Sequence, residues 1–447
     1  MKFYVLQIIF IAIIFYLALC YEDDKHLKFP KYEKPFNFGF YSGFLKSSDT
    51  EENYLFYWFF ESQNDPSADP LVIWFDGGPG FSSLLGATSA NGPFLWENNT
   101  VVENEFSWNQ IANVLYMESP ENVGFSQGPG IPSSDIKSTK SNWKAVRSFY
   151  EKFPRFLKNK LYLSGESYAG VYVPNLAFEI LASVNPKINF GGIFLGNPLV
   201  LLPTDIDALH ITNLDYALSS DLISTLEYQN KLSGSPCFSG QQSCRNFSDI
   251  LLDMFSLLKG RSVHDINRKC DFFVCVENMY RLNEIYEFFN DEEVQGSLNV
   301  NKSWDGCSIL INYTFNNLNH TRQYIDYIIT KHIPFMVFSG KSDMICNWLQ
   351  VEYFFKNYLK LSVVNDWSSI VSREYKGVIG MKKQWQSSVT HVVIDGAPHS
   401  VARSHKELTL QMLDEFINHG TLTSNAFYFG SFNFLTSLSM MLIFQCW

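Results

Sequence analysis

Leu161-Tyr162-Leu163-Ser164-Gly165-Glu166-Ser167-Tyr168-Ala169-Gly170-Val171-Tyr172-Val173 is the stretch whose reading decides the fold of this chain. The apolar run Leu161–Leu163 stops at Gly165, one Ser follows at 167, and an apolar helical pattern starts at once. A strand that turns sharply into a helix with Ser at the bend is the mechanical signature of a nucleophile elbow. The bend lifts the hydroxyl above the end of the sheet. It also presents the next backbone N–H, that of Tyr168, at a helix N-terminus, where an oxyanion is stabilised. The general form carries Gly two residues either side of the Ser; here Gly165 is present and Ala169 takes the second place. Alone, the stretch also fits an ordinary strand–helix turn.

The neighbouring segments extend the reading. Aromatic and β-branched runs at 53–63 and 71–75 are separated by the turn-rich Asn64–Pro70, and Asn113–Met117 reads as a third strand. Residues 135–153 carry helical spacing through Ile136, Trp143, Val146 and Phe149 and end before Pro154; 168–183 is the next helix, and Gly192–Leu195 the next strand. Strands alternating with helices imply an α/β protein with a mostly parallel, doubly wound sheet covered on both faces. With the elbow, the expected architecture is the α/β-hydrolase fold. The alternation breaks over 203–318, which holds most of the cysteines and mixed helical patterns at Leu251–Leu258 and Met279–Phe289. This segment reads as a helical insertion stapled by disulfides, a cap between core parts 21–202 and 319–420. The sheet resumes at Ile333–Phe338, continues through a hairpin-like 373–394, and closes with a helix over 404–418.

Acyl transfer by Ser needs a base to take its proton, an acid to orient that base, and N–H donors for the tetrahedral oxyanion. In this fold class the chain order is Ser, then Asp or Glu, then His, each just after a strand. Ile333–Phe338 leads to Asp343, and His391–Ile394 leads through Gly396-Ala397-Pro398 to His399. The glycine loop Asp76-Gly77-Gly78-Pro79-Gly80 directly follows Leu71–Phe75 and makes the Gly78 N–H the candidate second oxyanion donor.

Composition sets the compartment and the partners. The 447 residues are 46% hydrophobic and carry a net charge of −11, without a Lys/Arg-rich run, which excludes nucleic acid as the expected partner. Residues 1–20, with Lys2 ahead of an apolar run to Cys20, read as a secretory signal peptide, the rival being an uncleaved anchor. Glycosylation sequons at Asn98, Asn246, Asn301, Asn312 and Asn319 fit that route. Cys237, Cys244, Cys270 and Cys275 cluster without a suitably spaced His, so disulfides, in any of three pairings, are expected rather than a metal site. Nothing in the chain calls for a cofactor, and no feature of it fixes an oligomeric state. From 421 to 447 the tail is uncharged and largely hydrophobic, compatible with a membrane anchor or an anchor signal.

Several long motifs resemble the serine carboxypeptidase family, which includes the lysosomal cathepsin A type and the fungal vacuolar enzymes. They are Trp74–Ser83, Glu118-Ser119-Pro120 with Val123-Gly124-Phe125-Ser126, Gly165–Gly170, Gly196-Asn197-Pro198, Asp343–Trp348 and Gly396–His399, in order over roughly residues 30–418. The resemblance implies Ser167 as nucleophile, Asp343 as orienting acid, His399 as base, and the Gly78 and Tyr168 N–H groups as oxyanion hole. It implies peptide or protein C-termini as substrate and a lysosomal, vacuolar or extracellular location. It places Met344, Cys346 and Ser400 beside the substrate pocket.

The departures bear on substrate. Family members hold a peptide's α-carboxylate with the Asn of an Asn-Gly-Gly-Pro-Gly loop, the Glu before the nucleophile and a second Glu downstream. Here Glu166 is kept, the Asn is Asp76, and the second Glu position falls on Ala90. The carboxylate-binding pair is therefore Asp76 and Glu166. Two close carboxyl groups cannot both ionise, so they are expected to share a proton and to hold a substrate carboxylate only in acid. The family Cys of the glycine loop is Phe81, leaving its partner position, Cys307, without that mate; Lys341 stands where many members carry an acid, and Val171 replaces a frequent His. Pro398, Ser400 and Ala402 replace Gly, Met and Pro, which implies an altered, roomier leaving-residue pocket. Three activities stay open: a carboxypeptidase acting through an acyl-enzyme, favoured by Glu166; an acyltransferase or esterase on the same fold; and a non-catalytic binding or chaperone-like protein.

Overall fold

The run Tyr54-Leu-Phe-Tyr-Trp-Phe-Phe60 has no polar alternation because both of its faces are covered. Leu55, Tyr57 and Phe59 enter one hydrophobic core, with Phe149, Phe153 and Phe156. Phe56, Trp58 and Phe60 enter the opposite one, with Phe288, Phe289 and Trp304. Successive side chains of a strand point to opposite faces, so a sheet sandwiched between two apolar layers demands a continuous apolar run. The same division holds in the next strand, where Leu71, Ile73 and Phe75 join the first core and Val72 and Trp74 the second.

The computed structural model describes residues 24–128, 133–201, 204–233, 247–269, 281–308, 313–315, 318–373 and 377–427. The segment read as a signal peptide, most of the hydrophobic tail, the four clustered cysteines and the sequons at Asn246 and Asn312 lie outside the described residues. Asn98 and Asn301 are exposed.

In chain order the strands are β1 (Lys25–His26), β2 (Phe40–Lys46), β3 (Tyr54–Phe60), β4 (Leu71–Phe75), β5 (Phe94–Glu97), β6 (Thr100–Glu103), β7 (Asn113–Met117), β8 (Leu161–Glu166), β9 (Phe190–Gly196), β10 (Phe335–Gly340), β11 (Val363–Ser372), β12 (Val378–Trp385), β13 (Val389–Ile394) and β14 (Ala426–Phe427). All but the β5–β6 hairpin form one sheet in the order β1-β2-β3-β7-β4-β8-β9-β10-β13-β12-β11-β14. The block β7-β4-β8-β9-β10-β13 is parallel throughout, flanked by antiparallel pairs at either side. Helices Asp135–Lys152 and Ala169–Ala182 cover one face, and Lys406–His419 covers the other. This is the expected α/β-hydrolase architecture. Between β9 and β10 the named elements are helices, including Ile206–Ser219, Thr225–Ser233, Phe247–Leu258 and Leu282–Phe289. The first and third of these share a separate hydrophobic cluster (Leu214, Tyr216, Met254, Leu257) to which Met344 of the core contributes.

Buried Glu118, just beyond the end of β7, ties three segments together. Its carboxylate accepts from Trp304 Nε1 at 2.8 Å, from Phe125 N at 2.7 Å and from the Ser82 hydroxyl. Burial nevertheless pushes that carboxyl up to about 7. Glu118→Ala strands three buried donors and is expected to cost about 2–4 kcal/mol, read as a lowered urea midpoint with unchanged slope; Glu118→Gln is expected to cost less. A midpoint unmoved by the alanine would contradict this role.

Candidate active site

The elbow is built at the end of β8. Ser167 sits at φ 62°, in the left-handed region, which a non-glycine residue enters only when its surroundings hold it there. Its N–H donates to Gly196 O at 3.1 Å, and its carbonyl accepts from Leu199 N at 2.8 Å and Gly170 N at 2.9 Å. The bend also needs small neighbours: a Cβ on Gly165 would lie 2.3 Å from Phe75 O and 2.6 Å from the Ala169 Cβ. The glycine loop lies directly on this turn, because β4 and β8 are adjacent parallel strands. A Cβ on Gly77 would meet both the Ser167 Cβ and the Tyr168 N at 2.6 Å. Backbone of the Gly77–Gly78 loop and the Tyr168 amide, at the start of helix Ala169–Ala182, therefore converge beside Ser167. Phe81 and Cys307 are held together by backbone pairing, with Ser82 N to Gly306 O at 3.0 Å and Ser308 N to Gly80 O at 2.9 Å. Cys307 is a free thiol.

Asp343 follows β10 and His399 follows β13, neighbouring parallel strands. Both side chains are buried, and His399 Nδ1 lies 2.7 Å from Asp343 Oδ2. That oxygen also accepts from Asn197 Nδ2 at 2.5 Å, and the other accepts from Ile345 N at 3.1 Å. Asn197 in turn accepts from Gly340 N at 2.8 Å, which locks the end of β9 to the end of β10. Burial alone would lower the His399 imidazolium, but the charge and hydrogen bond of Asp343, with the charge of Glu166, outweigh it and leave the imidazole above its ordinary value. The His399 N–H donates to His264 O at 2.8 Å, and the two rings meet edge-on at 5.1 Å. Burial pushes the His264 imidazole down to about 3, so it adds no charge there.

The loops of the nucleophile and the base are joined where the Ser400 hydroxyl donates to Glu166 Oε2 at 2.9 Å. Glu166 immediately precedes Ser167, and Ser400 immediately follows His399. Glu166 and Asp76 are both buried. Asp76 Oδ2 accepts from Gly86 N at 2.9 Å and Trp74 Nε1 at 3.2 Å. Desolvation first, and then the neighbouring Glu166 charge, raise the Asp76 carboxyl to about 7 against those two donors. Desolvation likewise raises Glu166, opposed by His399, Arg403 and the Ser400 hydroxyl. Ala90, at the end of helix Leu84–Ser89, is buried and adds no polar group.

Of the expected pocket residues, Met344 is wholly buried in the cluster shared with the helical segment, and Cys346 is buried near Asp343 as a free thiol. Ser400 faces a cavity of 280 Å³, whose walls also include Pro398 and Arg403. Three residues were not singled out from sequence. Asn197 belongs to the Gly196-Asn197-Pro198 motif, and its amide fixes Asp343; His264 carried no local signal, and neither did Arg403 for its action on Asp76 and Glu166.

Comparison with known proteins agrees with this arrangement. The model of the serine carboxypeptidase family matches residues 30–419. The lysosomal protective protein of Mus musculus is 30% identical over 450 residues, covering 89% of this chain and 94% of that protein. A carboxypeptidase Y homolog A from Trichophyton equinum is 31% identical over 411 residues, covering 84% of this chain and 74% of its own. Among solved structures, Kex1(delta)p, a prohormone-processing carboxypeptidase from Saccharomyces cerevisiae, superposes with a TM-score of 0.71 at 21% identity, covering 85% and 91% of the two chains. Fold and site define an α/β-hydrolase with a Ser, an Asp–His pair and a buried carboxyl pair at the ends of its parallel strands. Within that class, the chain belongs to the serine carboxypeptidase family.

The buried Asp76 makes stability depend on pH. Its carboxyl titrates at about 7 in the folded chain and near 3.9 when unfolded. Between these values the folded state binds more protons, so stability falls as pH rises through the interval. Asp76→Asn removes the penalty: at pH 8 the variant is expected to be about 1–3 kcal/mol more stable than the parent, the gap closing below about pH 4. Thermal unfolding at the two pH values checks this; equal stability at pH 8 would contradict it.

Proposed function

We propose that this chain is a serine carboxypeptidase that releases C-terminal residues from peptides through an acyl-enzyme and works in acid. The observation that carries the reading is the pair of linked contacts, His399 on Asp343 at 2.7 Å and Ser400 on Glu166 at 2.9 Å, which join base, orienting acid and carboxyl site around Ser167. Ser167 Oγ attacks the last peptide carbonyl while His399 takes its proton, Asp343 holding the ring by Nδ1. The Gly78 and Tyr168 amides receive the oxyanion. His399 then gives the proton to the departing amino acid, the acyl chain stays on Ser167, and a water deprotonated by His399 hydrolyses it.

Substrate selection falls to Asp76 and Glu166. With one proton shared, the pair donates a hydrogen bond to the peptide's free α-carboxylate; with both ionised it repels that group. The same proton assists the base. The Glu166 carboxylate is one of the charges raising His399, so neutralising it helps the imidazole stay unprotonated in acid. The signal-like N-terminus and the sequons support passage through the secretory pathway, and the relatives' names support a lysosome-like or vacuolar destination.

A fluorophosphonate probe is expected to label the parent and not Ser167→Ala, which also loses about 10⁴-fold or more in turnover. Release of the last residue from free-acid peptides is expected to fall as pH rises through about 7, while hydrolysis of a blocked ester substrate persists. Equal decline of the two activities would remove the carboxyl pair from the account, and retained turnover in Ser167→Ala would remove the nucleophile.

A further inference from the structure

The cavity beside His399 is more basic than the rest of this acidic chain. Pro398 and Ser400, the residues flanking the base, form one wall. Among the described residues of its wall, Arg268, Arg281, Arg403 and Lys406 contribute four cationic side chains against two acids, Glu97 and Asp265. Arg268 Nε lies 3.4 Å from Asp265, and Arg281 pairs with Glu284. Lys406 is more crowded by charge. Burial lowers its ammonium first, Glu97 acts in the opposite direction, and Arg403 and Arg281 lower it again, so two guanidiniums lie close enough to act on it. Arg403, part of the cavity wall, also acts electrostatically on both Asp76 and Glu166. The volume, 280 Å³, is at the low end of ligand pockets, about 300 Å³, and suits one side chain rather than a stretch of peptide.

We infer that this cavity receives the side chain of the leaving C-terminal residue and selects an acidic one, Glu or Asp. The assignment rests on the carboxypeptidase reading above. A peptide ending in Glu presents two carboxylates: the α-carboxylate goes to the proton-sharing pair, and the side chain goes past Ser400 to Arg403 and Lys406. Guanidinium groups match carboxylate geometry with paired N–H donors. An anion among crowded cations relieves their mutual repulsion. A C-terminal Lys adds a further like charge and is disfavoured for the same reason.

The test uses free-acid peptides that differ only in the last residue, Glu, Gln, Leu or Lys, assayed near pH 5.5, above the ordinary Glu carboxyl at about 4.3. For the parent, kcat/KM for Glu is expected to exceed that for its neutral isostere Gln by about tenfold or more, with Lys the poorest. In Lys406→Gln and in Arg268→Gln the Glu-to-Gln ratio falls several-fold, and in Lys406→Glu it inverts. Because the ratio is taken within one preparation, loss of folded enzyme cancels from it. Release of Gln and Leu at rates equal to Glu in the parent, or a ratio unmoved by both Lys406 variants, would overturn the cavity assignment and leave the carboxypeptidase reading intact. Release of none of the four residues would overturn both.

Discussion

A serine held at φ 62° is the constraint on which the site depends. That conformation costs on the order of 1–3 kcal/mol for a residue with a Cβ, and three backbone hydrogen bonds, to the end of β9, the loop after it and the first turn of helix Ala169–Ala182, hold it there. The geometry leaves room for nothing larger than glycine at 77 and 165. In return, the hydroxyl stands at the carboxyl edge of the parallel block, where the loops after β4, β10 and β13 also end. Parallel strands make this convergence unavoidable, because their C-terminal ends share one edge of the sheet. The Asp343–His399 bond follows from β10 and β13 being neighbours.

The second organising feature is electrostatic. Asp76 and Glu166 lie buried next to the elbow, where neither carboxylate is well solvated. Burial opposes ionisation of each, and the charge of one opposes that of the other. In the proposed function, such a pair accepts an anion only while it keeps a proton. Arg403 at the edge of this pair moderates the effect, since its charge favours ionisation of both. Burial and Arg403 thus act in opposite directions on the ionisation of both carboxyl groups.

Much of this was legible in the residues. β4 and β7 are continuous apolar runs with abrupt ends, and their observed bounds coincide with those read from sequence. The Ser, Asp, His order and the glycine loop were readable because each of these residues follows a strand end, and the parallel strands bring those ends to one edge. β2 escaped the reading. Its Phe40-Tyr-Ser-Gly-Phe-Leu-Lys carries Gly43, which weakens the strand pattern; the space left by its missing Cβ is taken up by the Asp24 carboxylate. β11 escaped for another reason: it is largely exposed at the sheet's margin, rich in Asn, Asp and Ser, and broken by register shifts. The roles of Asn197 and Arg403 could not be read from spacing, since each acts on residues far away in the chain. Only the folded sheet brings Asn197 to Asp343 across 146 positions.

The central claim, that Asp76 and Glu166 hold a shared proton beside Ser167, is tested most directly by infrared difference spectroscopy of the protonated-carboxyl band. Subtracting the spectrum of an Asp76→Asn, Glu166→Gln chain from that of the parent isolates the pair from other buried acids such as Glu118. The account predicts a protonated-carboxyl signal in that difference which persists well above the ordinary carboxylate range and disappears only as pH passes about 7. A difference signal lost by about pH 4–5, where exposed carboxyl groups titrate, would contradict it.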